Sequence, residues 1–124
     1  MNEDRSRSDA TVSIEIPAEV RYVALVRVAA VGIAMDLDPV MDDIEDLRVA
    51  VNELVGLLIE AADGGHVHLR LWCDRRTVHV DGRCTDDAGT VVPDELTRRI
   101  LDATVDGYEI ADGAFRMHKL MSAV

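Results

Sequence analysis

The segment between Asp38-Pro39 and Gly64-Gly65 restricts the possible folds more than any other stretch. Ile44, Leu47, Val51, Leu54, Val55 and Leu58 recur at three- and four-residue spacing, which a helix gathers on one face and a strand would scatter. Asp38 followed by Pro39 has the chemistry of an N-cap and a first helical residue. The acids Asp42, Asp43, Glu45 and Asp46 suit the positive end of a helix dipole, and Gly64-Gly65 supplies the stop. The spacing therefore predicts a helix from Pro39 to about Ala62. Its stripe needs an apolar surface to cover it.

Strands supply that surface. Thr11 to Ile16 alternates polar and apolar residues up to Pro17, placing Val12, Ile14 and Ile16 toward the core. His66–Asp74 and Thr77–Cys84 read as a hairpin turning at Arg75-Arg76, which pairs Asp74 with Thr77, Cys73 with Val78, His79 with Trp72 and Cys84 with Val67. That register keeps the two thiols apart, so a disulfide is not expected. Tyr108–Ala111 and Ala114–Leu120, joined by Asp112-Gly113, form a last hairpin.

Two further helices complete the set. One runs from Ala18 to about Met35; Val20, Val23, Val26, Val28, Val31 and Ile33 are spread round it, so a second surface, in the next helix or in a dimer partner, has to share their cover. The other opens at Pro93 and ends before Gly107, with Leu96, Ile100, Ala103 and Thr104 on its inner side. The order β-α-α-β-β-α-β-β predicts an α+β fold: a two-layer sandwich of a mostly antiparallel mixed sheet with helices on one face. Residues 1–10 read as a disordered tail and residues 11–124 as a single domain.

Composition narrows the function. With 48% apolar residues but 3% aromatics, the core is aliphatic and ring stacking is scarce. A net charge of -11 disfavours nucleic acid and suits a basic protein partner. The polar start and the interruption of Tyr22–Met35 by Arg27, short of the ~20 residues that cross a bilayer, predict a cytoplasmic chain without a membrane contact.

Leu37-Asp38-Pro39-Val40-Met41-Asp42-Asp43-Ile44-Glu45-Asp46-Leu47-Arg48-Val49-Ala50-Val51-Asn52-Glu53 closely resembles the Glu-bearing helix of the anti-sigma factor serine kinases, small bacterial regulators of the histidine-kinase-like ATPase (Bergerat) superfamily. Ile100 to Ile110 resembles that family's last helix and following strand. The resemblance implies a Bergerat-like fold over about residues 11 to 120. It also implies that Glu53 matches the base that activates the attacking hydroxyl. Four residues on, the family carries an Asn that binds Mg²⁺; here Leu57 stands instead and offers no oxygen to that hard cation. The family's Asp-x-Gly-x-Gly adenine loop is matched in part by Asp87-Ala88-Gly89-Thr90-Val91, with Asp87 and Gly89 retained and Val91 replacing the second glycine. The glycine-rich phosphate lid has almost no room after Cys84, and no Gly-x-Gly occurs there.

The resemblance thus implies a degenerate nucleotide site: Glu53 at the catalytic position, Asp87 and Gly89 on the adenine side, no metal, and an incomplete site for ATP and Mg²⁺. The expected function is that of an anti-sigma-factor-like regulator binding a sigma factor or an anti-sigma antagonist without ATP turnover, as a homodimer. The alternatives are an active serine kinase and a dimeric regulatory domain with an unrelated partner. His66 and His68 share a strand face and His118 stands alone on the last strand; all three read as surface residues, as does His79. No Gly-x-Ser-x-Gly elbow surrounds any serine.

Overall fold

A computed structural model describes residues 10–86 and 92–123. Among the described residues the order is β1 (Val12–Pro17), a 3₁₀ turn (Val20–Tyr22), α1 (Val23–Met35), α2 (Met41–Ala62), β2 (His66–Asp74), β3 (Thr77–Cys84), α3 (Glu95–Thr104), β4 (Gly107–Ala111) and β5 (Ala114–Leu120). The strands form one sheet in the order β1-β2-β3-β5-β4, every neighbouring pair antiparallel. The expected element order and sandwich hold.

The β2–β3 register is the predicted one, residue for residue, from Asp74 opposite Thr77 to Cys84 opposite Val67. Arg75 takes the left-handed conformation that the two-residue turn requires (φ 60°). Alternation then puts Val67, Leu69, Leu71, Val78, Val80, Phe115 and Met117 on one sheet face, all buried. Across that face lies α2, whose Ile44, Leu47, Val51, Leu54, Val55 and Leu58 are all buried, as the stripe predicts. Gly82 lets this face close: a Cβ there would stand 2.5 Å from the Phe115 ring and 2.8 Å from Leu69 Cδ1.

Four boundaries or faces differ from the sequence reading. On β1, Ile16 is buried and Ile14 half-buried, but Val12 is exposed, because β1 is the sheet's edge and only its end closes under the helices. The first helix starts later than Ala18, whose backbone N–H instead donates to the Gly65 carbonyl (2.9 Å). Asp38 does not cap α2. It is left-handed (φ 50°), Pro39 bridges to Ala123, Val40 N–H donates to the Ser122 carbonyl (3.0 Å), and Val40 is the N-cap. The acids of the first turns hold the C-terminal segment instead: the Asp43 carboxylate accepts from Ser122 N–H (2.6 Å), and Lys119 Nζ lies 3.7 Å from Asp43 and 3.5 Å from Asp46.

The fourth difference is the inner side of α3. Asp94, not Pro93, starts the helix, its carboxylate accepting from Thr97 N–H (2.8 Å). Thr97, Leu101 and Thr104 face inward, Ile100 is half-buried, and Leu96 and Ala103 are exposed. A threonine is buried without penalty when its hydroxyl is satisfied, and both are: Thr104 donates to the Ile100 carbonyl (2.7 Å) and Thr97 to Glu53 (3.3 Å).

Helix α1 buries Val23, Val26, Ala30 and Ala34. Leu25, Val28 and Met35 remain exposed along one stripe, with Val20 exposed just before it, so neither α2 nor the sheet covers the whole helix. Among the described residues no helix is long and apolar enough to cross a membrane.

Candidate functional site

Glu53 projects from the fourth turn of α2 toward α3 and is half-buried. Its Oε1 accepts the Thr97 hydroxyl, and Thr97 in turn gives its backbone N–H to Asp94. That backbone hydrogen bond is the main reason the Asp94 carboxyl is held below its usual range. Glu53 is thus one end of a short polar chain that fixes the first turn of α3 against α2. On its other side, the preceding Asn52 accepts from Arg27 Nη1 (2.8 Å), joining α2 to α1.

One turn beyond Glu53 stands Leu57, half-buried. The pair offers one carboxylate and one hydrocarbon, so Leu57 supplies no oxygen ligand to a hard cation beside Glu53. Asp87 and Gly89, the adenine-side candidates, lie outside the described residues, as does Val91. The chain leading to them is anchored: Thr85 N–H and hydroxyl both donate to the His66 carbonyl (3.0 Å each), and a Cβ on Gly65 would meet Asp86 Oδ2 at 2.5 Å.

The thiols add no nucleophile. Cys84 Sγ lies 3.6 Å from the Leu58 carbonyl and Cys73 Sγ 3.9 Å from that of Ile33. Burial pushes both thiols up, helped by Asp86 beside Cys84 and Asp36 beside Cys73, so both stay protonated at neutral pH. Both cysteines are unpaired, as the hairpin register predicts.

Sequence reading missed two arrangements. Thr97 is the partner of Glu53; Asp94-x-x-Thr97 has the spacing of a helix cap, a signal not used in placing the helix start at Pro93, and nothing local announces a partner 44 residues away. His79 faces His118 across β3 and β5, a pairing between non-consecutive strands that no local pattern announces.

An antiparallel sheet with three helices on one face, a Glu-bearing helix laid across it, makes an α+β sandwich like that of an RsbW domain. The particular likeness is to serine-protein kinase RsbW. The chain is 33% identical over 51 residues to that of Bacillus thuringiensis (strain Al Hakam), covering 41% of this chain and 32% of the relative. It is 45% identical over 42 residues to that of Bacillus velezensis, covering 34% of this chain and 26% of the relative. The matched stretch is thus about a third or less of these relatives' length. Among solved structures, the RsbU and RsbW domains of Rv1364c from Mycobacterium tuberculosis share the fold with a TM-score of 0.63 at 16% identity, covering 91% of this chain and 31% of that one. No protein-family model matches the chain.

Proposed function

We propose that this chain is an anti-sigma-factor-like regulator that acts by binding a sigma factor or an anti-sigma antagonist, and that it does so without turning ATP over. The observation that carries this reading is the pairing of Glu53 with Thr97, one turn before Leu57. A base that accepts a proton from an attacking hydroxyl has to face that hydroxyl; here one of its two oxygens, Oε1, already accepts from a threonine of the same chain. Phosphoryl transfer also relies on a metal to neutralise the migrating charge, and Leu57 withholds an oxygen ligand. The similarity to RsbW supports the partner class.

Binding would use outer surfaces. The exposed Val20, Leu25, Val28 and Met35 support a homodimer contact along α1. Asp42, Glu45, Glu60 and Asp63 lie exposed on or just after α2, and with the net charge of -11 they favour a basic face on the partner.

A second reading, an active serine kinase, draws on Glu53 standing at the family's base position and remaining partly open to solvent. Sedimentation of the chain with purified sigma factors and antagonists of its host separates the two. Binding alone predicts a complex whose affinity is the same with and without Mg-ATP, and an antagonist that keeps its mass. A complex that forms only with Mg-ATP, or an antagonist that gains a phosphate, would support the kinase.

A further inference from the structure

All four histidines of the chain stand on the sheet face that the helices leave open. Two of them meet. His79 on β3 lies directly opposite His118 on β5, with ring centroids 6.0 Å apart and ring planes inclined by 33°. Both rings are braced: His79 stacks on Trp72 with centroids 5.0 Å apart and planes within 3° of parallel, and His118 lies over Gly107, where any Cβ would collide with its ring. Both line an open cavity of about 350 Å³, together with Asp81, Glu109 and Arg116, whose guanidinium lies 3.8 Å from the Asp81 carboxylate.

We propose that His79 and His118 form a two-imidazole site for a divalent transition metal ion of the zinc, nickel and copper class. Imidazole nitrogen is the ligand these metals favour over hard oxygen-seeking cations. Two imidazoles that share one tetrahedral ion at ordinary metal–nitrogen distances hold their centroids about 5 Å apart, so the pair, at 6.0 Å, has to draw together by about 1 Å on an ion. Among the described residues no third His, Cys, Asp or Glu completes the set, so water fills the remaining positions and the ion exchanges readily. The net charge of -11 raises the local concentration of cations. His66 and His68 lack this arrangement: they follow one another along β2 instead of standing opposite each other, and His68 lies between Glu15 of β1 and Arg83 of β3.

Trp72 is the chain's single tryptophan and rests on the proposed ligand His79, so its fluorescence reports on this site. Titration of the full chain with Ni²⁺ or Cu²⁺ is expected to quench Trp72 saturably, with EDTA reversing the quench and Zn²⁺ competing. Loss of an outer partner alone weakens metal sites roughly 10–100-fold, so removing a ligand in His79→Asn or His118→Asn is expected to weaken binding by at least about tenfold. The double variant His66→Asn/His68→Asn is expected to bind like the wild type. Imidazole proton signals of the unmodified chain, followed during Zn²⁺ addition, make the same test without any substitution: two histidines shift together and two do not. Absence of saturable quenching in the wild type, its survival in His118→Asn, or its loss in the His66/His68 variant would overturn the proposal.

Discussion

The two long helices make opposite use of their apolar residues. Helix α2 buries its entire stripe from Ile44 to Leu58 against the sheet, whereas α1 buries Val23, Val26, Ala30 and Ala34 and leaves Leu25, Val28 and Met35 in solvent. The difference separates a helix that closes the core from one that leaves an apolar stripe uncovered. Around Glu53 the polar groups are satisfied within the chain and the neighbouring Leu57 adds hydrocarbon. On α1 the apolar area of Leu25, Val28 and Met35 covers nothing inside the molecule.

The contrast is broken most strongly by cutting into α2. Leu54 is fully buried, and Leu54→Ala is expected to cost about 2–5 kcal/mol, from lost transfer energy and the cavity left behind, in urea unfolding. If it costs less than 1 kcal/mol, roughly the value of a surface change, α2 is not the packed partner of the sheet. Gly82→Ala should follow at about 1–3 kcal/mol, because the new methyl meets the Phe115 ring and Leu69 with little room to yield.

On α1 the expectation reverses. Leu25→Asp is expected to change stability within about ±0.5 kcal/mol, since the side chain is exposed in the single chain, while shifting the sedimentation coefficient from dimer to monomer. A dimer that survives the substitution would place the contact elsewhere.

The smallest effect is a pH dependence. The pKa of His79 lies below its ordinary value of 6.5, chiefly through burial and then through His118, while Asp74 and Asp81 pull the other way. Protons therefore bind the unfolded chain more readily. His79's contribution is fully present above pH 6.5 and is lost as pH falls through the folded value. Denaturation midpoints measured from pH 7.5 to 5 should decline, and His79→Asn should flatten the decline.

Much of this architecture is legible in the sequence because its determinants are local. The β2–β3 register follows from two alternating runs and a two-residue turn, and the α2 stripe from three-four spacing. What escaped depends on residues distant in the chain. The start of α2 is set by Ser122 and Ala123, which occupy Val40 and Pro39 before a cap at Asp38 can form. The inner side of α3 is set by Glu53, which makes burial of Thr97 favourable and turns Leu96 outward. The site was legible to the same degree: Glu53 and Leu57 stand on one local helix, whereas their surroundings come from elsewhere in the chain.

Isothermal titration of the intact chain with Mg-ATP tests the central claim most directly, namely that the surroundings of Glu53 are architecture and that function resides on outer surfaces. The account predicts no saturable heat, for the wild type and for Asp87→Ala alike. Micromolar binding in the wild type that disappears in Asp87→Ala would contradict it and restore a working nucleotide site.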